Sequence, residues 1–267
     1  MSDPNSDFQA PPPPPFPGTE TPSGPSMSTA QTLTGIFLEP GQVFESLRSR
    51  PRFLAAAIII TVALLAFTAV FFQRVGYERF ITETVENSPR ADQMTPEQKE
   101  QATRIQSGPI VKTIYYASPI LIIAIILAAG GGLYLLGSML MGKALTYKQA
   151  VAVWAYSSMP PLLIAMILNI VLLFIKSPDD YDIIHAQRRG LVQANLGWLV
   201  DPKASPLLAT FLGSLDLFAF YGLFLAALGL RKVGKMSSST AWTIVLIIWV
   251  IGTIIRLAFA AIFARAM

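Results

Sequence analysis

Residues 207–230 form an apolar run of 24 residues that contains a single charged side chain, Asp216, near its middle. An α-helix needs about 20 apolar residues to cross a lipid bilayer, so this run predicts a membrane span. A carboxylate at such a depth is costly unless it faces protein, water or a partner. Other parts of the chain must therefore shield Asp216.

The distribution of charge along the chain extends this prediction to the whole molecule. Only 13% of the residues are charged and 53% are hydrophobic, and the charges are concentrated outside the long apolar runs. Soluble domains carry about 25% charged residues. The sequence therefore predicts an all-α integral membrane protein. We expect five transmembrane helices, at about residues 53–72, 114–141, 149–175, 207–230 and 241–264.

The N-terminal segment has a different composition. Residues 1–30 are rich in Pro, Ser, Gly and Thr, with five consecutive prolines at 11–15. Such a segment cannot bury enough apolar surface to offset its ordering entropy, so we expect a disordered, solvated tail. The alternative is a polyproline II ligand for an aromatic groove. Residues 31–267 then form the five-helix membrane domain.

The segment before the first span, residues 34–53, is amphipathic. Val43, Phe44 and Leu47 recur at helical spacing, with charged residues on the other side. The segment is too short to cross a bilayer. We expect it to lie in the membrane interface with its apolar face towards the lipid. The alternative is a helix that caps the bundle.

Two longer loops connect the predicted spans. In the first, Thr95 and Gln98 have the spacing of a capping box, which predicts a short exposed helix to about Gln106. The second, residues 176–206, has enough apolar side chains to lie on the membrane or on the bundle. Its His185 is the one His of the chain, and we expect a surface residue.

Small and helix-disrupting residues mark the second and third spans. Ala124, Ala128 and Gly132 repeat every fourth residue, which favours close helix packing within the chain or between copies of it. The glycine triplet at 130–132 could instead break the helix around a substrate. The Pro-Pro pair at 160–161 predicts a kinked or interrupted third span.

Two charged side chains, Asp216 and Arg256, and one Asn, Asn169, lie inside the predicted spans. Asp216 and Arg256 lie about 13 and 12 Å from the same membrane face, on consecutive antiparallel helices. We expect them to pair, directly or through water, and so to fix the register of these helices. The alternative is that Arg256 extends outward while Asp216 bonds to hydroxyl groups. Asn169 is expected to hydrogen-bond to a neighbouring helix.

Basic residues cluster before span one and after span four. We predict a basic rim that contacts anionic lipids, made of Arg48, Arg50, Arg52, Arg231, Lys232 and Lys235. The rule that cytoplasmic loops are enriched in Lys and Arg places this rim and the N-terminus in the cytoplasm. The opposing loops hold ten Lys and Arg, each with an acidic counterpart. The net charge of +4 is mild, so we expect lipid contact and no nucleic-acid binding.

The sequence contains no familiar catalytic pattern. It has no Cys, no phosphate-binding loop and no HExxH motif. No predicted span contains a His or Lys that could activate a serine, or a pair of acidic residues. We therefore expect no enzymatic activity, no cofactor and no metal site.

Three stretches carry a family resemblance: residues 36–53, the Pro-containing 147–161, and 213–230 with the Asp-x-Phe of Asp216 and Phe218. In this order, over about residues 30–265, the chain resembles the bacterial branch of the Yip (Ypt-interacting protein) domain family. The resemblance implies a five-span integral membrane protein of the bacterial cytoplasmic membrane.

Together these features predict a non-enzymatic membrane scaffold or interaction protein, linked to membrane organisation or trafficking. The alternative is a small transporter or channel component with a polar intramembrane site around Asp216. The two differ in whether the polar side chains line one wet cavity or are each satisfied by a dry neighbour.

Overall fold

The computed structural model describes residues 27–88, 90–201 and 204–264. Of the predicted disordered tail, residues 1–26 lie outside the described residues. Its last residues begin the first helix, because Ser28 and Gln31 form a capping box at its N-terminus.

The described residues form eleven α-helices and no strand, which confirms the all-α prediction. The helices are α1 (Thr29–Leu38), α2 (Pro40–Ser49), α3 (Leu54–Val75), α4 (Tyr77–Glu86), α5 (Pro96–Gln106), α6 (Pro109–Leu140), α7 (Tyr147–Ile175), α8 (Ile183–Arg189), α9 (Pro206–Ser214), α10 (Leu217–Val233) and α11 (Ser238–Ala264).

Four helices in the described part of the chain, α3, α6, α7 and α11, are long and apolar enough to cross a membrane. They match four of the five predicted spans. The predicted span at 207–230 is not one continuous helix, because α9 ends at Ser214 and α10 begins at Leu217. The apolar run predicted the extent of the helical stretch but not the interruption between α9 and α10.

The long helices alternate in direction, so the connections lie at two ends of the bundle. The α2 end comprises α1, α2 and the turns at 141–146 and 234–237. The α4 end comprises α4, α5, α8 and residues 190–205. α2 packs against α7 and α10, and α4 packs against α5 and α8.

The amphipathic segment at the α2 end faces protein. Val43, Phe44 and Leu47 of α2 are fully buried, within the core formed with α7 and α10. The expectation that this apolar face lies against lipid is therefore wrong, and the segment caps the bundle. Burial of these side chains against α7 and α10 removes the surface that an interfacial helix would give to lipid.

The glycine triplet of α6 brings two long helices together. A Cβ on Gly130 would lie 2.1 Å from the Trp154 ring, and one on Gly131 would lie 2.4 Å from Val151. Gly132, in contrast, has no such neighbour within 4 Å. α6 is continuous through the triplet, so the glycines serve packing, although Gly132 of the predicted small-residue face does not contribute.

α7 is also one helix in the secondary structure. It continues through Pro160 and Pro161, both of which are buried. The predicted interruption at these prolines does not occur.

The α4 end has its own aromatic core. Gly76, at φ +87°, ends α3 and redirects the chain into α4. Phe72 then packs against Tyr77, Phe80 and Tyr116, with ring centroids 5.1–5.4 Å apart. The predicted exposed helix after Thr95 is confirmed as α5, with both bonds of its capping box formed.

Candidate functional site

The interruption between α9 and α10 is built around Asp216. Its backbone is extended, at φ −112° and ψ 134°, and its side chain accepts a hydrogen bond from the amide of Ala219. Asp216 Oδ1 and this amide nitrogen are 2.9 Å apart. A carboxylate in this position satisfies one of the free N–H groups at a helix N-terminus and interacts favourably with the helix dipole.

A loop segment covers the break. The amide of Leu217 donates to the carbonyl of Ala194 at 2.9 Å, and Asn195 forms an isolated antiparallel bridge with Asp216. A Cβ on Gly197 would lie 3.2 Å from Gly213 Cα, so the loop and α9 approach closely. The Leu217 amide, which the interruption frees, is thus paired with the loop.

Asn169 of α7 anchors the same loop. Its side chain is 2% exposed, and Nδ2 donates to the carbonyl of Ala165 at 2.8 Å. Oδ1 accepts from the amide of Leu191 and, at 2.9 Å, from that of Val192. The expected bond to a neighbouring helix is replaced by bonds to this loop and to α7 itself.

These contacts lie within the apolar length of the bundle. A Cβ on Gly222 would lie 3.6 Å from Cγ of Pro161, the middle residue of α7. Asp216 precedes Gly222 by six residues, about 9 Å along a helix towards the α4 end. Asn169 lies six residues before Ile175, the last residue of α7. The loop therefore returns to the depth of both polar side chains. We define residues 190–199 as the re-entrant segment.

Arg256 does not join this arrangement. Its side chain is exposed on α11, and no ion pair links it to Asp216, both residues being among those described. The expectation of a direct Asp216–Arg256 ion pair is therefore wrong, because the carboxylate turns towards the α10 N-terminus. The exposure of Arg256 fits the outward orientation of the alternative, but the Asp216 carboxylate accepts from a backbone amide and not from a hydroxyl.

The six residues of the predicted basic rim all lie at the α2 end, but three of them contact protein groups and three are exposed. Lys232 Nζ lies 3.1 Å from the carboxylate of Glu45, and Arg48 lies 3.8 Å from it. Arg52 donates to the Thr29 hydroxyl and to the carbonyl of Met27. The remaining side chains are exposed, those of Arg50, Arg231 and Lys235.

At the α4 end, Arg79 is paired with two carboxylates. Arg79 forms ion pairs with Asp179 at 2.8 Å and with Glu83 at 3.3 Å. The hydrogen bond to Asp179 is the main cause of a raised pKa of Arg79. Within the described residues, no group of three His, Cys, Asp or Glu side chains is placed to hold a metal ion.

Sequence reasoning missed the re-entrant segment. The signals for it were weak and local, namely Gly190 and Gly197 with a polar residue, Asn195, between them. The structural role of these residues is visible only in their tertiary contacts and hydrogen bonds. A Cβ on Gly190 would lie 2.5 Å from Asn169 Oδ1, and Asn195 Oδ1 accepts from the amide of Gly197 at 2.9 Å.

Comparison with known proteins gave one result. No curated protein and no solved structure matched the chain. The Yip1 domain family matched residues 34–259, a stretch that contains both the basic rim and the interrupted helix. This match covers well over half of the 267 residues and confirms the resemblance to the Yip domain family. The chain thus belongs to the Yip1 domain family and, with its long apolar helices, is a multi-pass integral membrane protein.

Proposed function

We propose that this protein is a non-enzymatic scaffold or interaction protein of the bacterial cytoplasmic membrane, linked to membrane organisation or trafficking. The observation that carries the proposal is the platform formed by α1, α2 and the exposed Arg50 that follows them, docked on the bundle through buried Phe44 and Leu47. A folded platform with exposed polar and basic groups suits recognition of lipid and protein.

Charge is distributed unequally between the two ends. Residues 27–53, 141–149 and 231–240 contain eight Lys and Arg but two acidic residues. Residues 74–112 and 176–206 contain ten of each. Since short cytoplasmic loops are enriched in Lys and Arg, we place the α2 end and the N-terminus in the cytoplasm. The basic rim would then face the anionic inner leaflet.

The five-span count also belongs to this proposal. α9 and α10 together run over residues 206–233, which is long enough for one crossing despite the break. Non-helical backbone is tolerated at membrane depth where protein covers it, and residues 194–195 pair with this break. We therefore count α9 and α10 as one interrupted crossing.

Photo-crosslinking in native membranes tests the scaffold function. A photoreactive amino acid at exposed Gln42 or Ser49 on α2 should capture defined protein partners, identified by mass spectrometry. The matched control is the same amino acid at exposed Glu86, at the α4 end. Equal capture of abundant membrane proteins at both ends would contradict the proposal.

The interrupted helix favours a second candidate, a small transporter or channel component. Broken helices with polar residues at membrane depth form substrate sites in several transporter folds. The Asp216 carboxylate and the Leu217 amide at this break are, however, paired with protein, with the amide of Ala219 and the carbonyl of Ala194 respectively. This supports the scaffold. Substrate-dependent or ion-dependent flux into proteoliposomes, abolished by Asp216→Ala, would favour the transporter instead.

A further inference from the structure

An apolar groove runs along the outside of the bundle between α3 and α6, with α7 at its inner end. Its volume is about 500 Å³, within the roughly 300–1,000 Å³ of typical ligand sites. The lining residues are Phe53, Leu54, Ala57, Ile58, Thr61 and Val62 from α3 and the residue before it, Ile120, Ile123, Ala124, Leu127 and Ala128 from α6, and Tyr147 and Val151 from α7.

The groove presents hydrocarbon to whatever occupies it. Leu54 and Ile58 on one wall are 67% and 61% exposed. The two hydroxyl groups of the lining are already bonded to backbone carbonyls. Thr61 donates to Ala57 at 2.8 Å, and Tyr147 donates to Ala128 at 3.0 Å. The lining therefore suits an aliphatic chain better than a polar ligand.

The length of the groove fits one membrane leaflet. On α3 it extends from Leu54, at the α2 end, to Val62. These eight steps correspond to about 12 Å along a helix. One half of the hydrocarbon core of a bilayer is about 15 Å thick. An acyl chain entering from the α2 end would lie along the groove without crossing the membrane centre.

The mouth of the groove is basic. Arg50 precedes the lining residue Phe53 by three positions, and Lys148 follows the lining residue Tyr147; both side chains are exposed. Gln149 Nε2 donates to the carbonyl of Arg48 at 2.8 Å, which holds the start of α7 against the end of α2. This contact places the two basic positions at the same end of the bundle as the groove mouth.

No acidic residue offsets these charges on the groove elements. Residues 46–77 and 101–178, which include all of α3, α6 and α7, contain neither Asp nor Glu. An anionic headgroup at the mouth would thus meet Arg50 and Lys148 without repulsion from these elements.

We propose that this groove is a specific site for one anionic phospholipid, with an acyl chain between α3 and α6 and the phosphate at Arg50 and Lys148. The proposal rests on the α2 end lying at an anionic leaflet, as in the proposed function, but it requires no protein partner. A helix of a second copy is the competing occupant, and the basic mouth disfavours it.

Filling the groove tests the acyl-chain site. Ala124 lines the groove, whereas Ala129 is exposed on the same helix outside the lining. We expect Ala124→Trp to lower the phosphatidylglycerol retained by the purified protein about tenfold or more, as seen by native mass spectrometry in mixed phosphatidylglycerol and phosphatidylcholine micelles. Ala129→Trp should retain the wild-type amount.

Removing the charges tests the headgroup site without altering the groove. The double variant Arg50→Gln, Lys148→Gln should lower phosphatidylglycerol retention about tenfold and leave phosphatidylcholine unchanged. The matched control is Arg90→Gln, Lys143→Gln, which removes two exposed cations that belong neither to the basic rim nor to the groove, and which should retain the wild-type amount. If Ala124→Trp fails to fold, this pair of double variants still decides the proposal.

Three other outcomes would overturn the assignment. Equal retention in all variants excludes a built site. Equal loss of both lipids with Ala124→Trp, and no effect of Arg50→Gln, Lys148→Gln, excludes an anionic specificity. Loss of a dimer in place of lipid assigns the groove to a second copy. A positive lipid result with no partner in the crosslinking experiment would contradict the scaffold function alone.

Discussion

At the scale of single residues, Asn169 and Gly190 act as one unit. The Asn169 side chain is buried in α7 and accepts from two consecutive backbone amides, those of Leu191 and Val192. Gly190, at φ +82°, turns the chain so that both amides point at it. A buried amide without a partner costs about 1–3 kcal/mol, so this contact holds the re-entrant segment at its depth.

Replacing Gly190 by Ala should destabilise the protein through two effects. The φ of +82° and ψ of 174° at this position lie in a region that is essentially restricted to glycine and costs an L-residue about 1–3 kcal/mol, and the added Cβ would lie 2.5 Å from Asn169 Oδ1. We expect a loss of about 3 kcal/mol in the free energy of unfolding. The measurement is thermal or denaturant unfolding of the detergent-solubilised protein.

Gly142 is the matched control for this variant. It also has a positive φ, +64°, but no atom lies within 4 Å of its Cβ position. Gly142→Ala should therefore cost only the backbone strain, about 1–2 kcal/mol. Equal losses for the two variants would show that the contact with Asn169 has no energetic weight.

At the scale of elements, the break between α9 and α10 is stabilised as a helix N-terminus. Asp216 caps α10 at 2.9 Å, and Leu217 donates to Ala194 in the re-entrant segment. The carboxylate is needed as a hydrogen-bond acceptor, and its charge adds a favourable interaction with the helix dipole.

Substitution of Asp216 should therefore follow capping ability. Asp216→Ala removes the cap and should cost about 1 kcal/mol, while Asp216→Asn keeps an acceptor and should cost less. Arg256→Gln should change unfolding little, because Arg256 is exposed and has no ion pair with Asp216. A large coupling energy between Asp216→Asn and Arg256→Gln in a double-mutant cycle would instead show that the two side chains interact.

The contact between α6 and α7 gives a test within three consecutive glycines. Gly130→Ala places a Cβ where the Trp154 ring lies, 2.1 Å away, and should destabilise by about 1–3 kcal/mol. Gly132→Ala meets no atom within 4 Å and gains up to about 1 kcal/mol of helix propensity. The free energy of unfolding should fall for Gly130→Ala and rise for Gly132→Ala. A change in the same direction for both variants would contradict this packing.

At the scale of the whole molecule, the charge difference between the ends sets the proposed orientation. The α2 end has a large excess of Lys and Arg, and the α4 end is balanced. Part of the excess is fixed in the fold, since Glu45 holds Lys232 and Arg48. Exposed pairs of this kind contribute about 1 kcal/mol or less to stability, so their main effect is on the potential at this face.

Cysteine labelling tests this orientation, and the natural chain contains no Cys that would interfere. Exposed Ser49 at the α2 end and exposed Asn87 at the α4 end are suitable positions. In intact cells, a membrane-impermeant maleimide should label Asn87→Cys and not Ser49→Cys. After lysis both should react. The reverse pattern in intact cells would place the N-terminus outside.

The sequence by itself determined the class of protein and four long helices, because apolar length and the distribution of charge act along the chain without reference to its partners. It also determined local structure such as the capping box of Thr95 and Gln98, because this motif depends only on residues close together in the chain. Only the tertiary structure decided how the polar residues are satisfied. Asp216 and Asn169 bond to backbone groups of α10 and the re-entrant segment, and these partners depend on which loop returns to the bundle. The burial of α2 was decided in the same way, since an amphipathic helix buries its apolar face equally well on lipid or on protein.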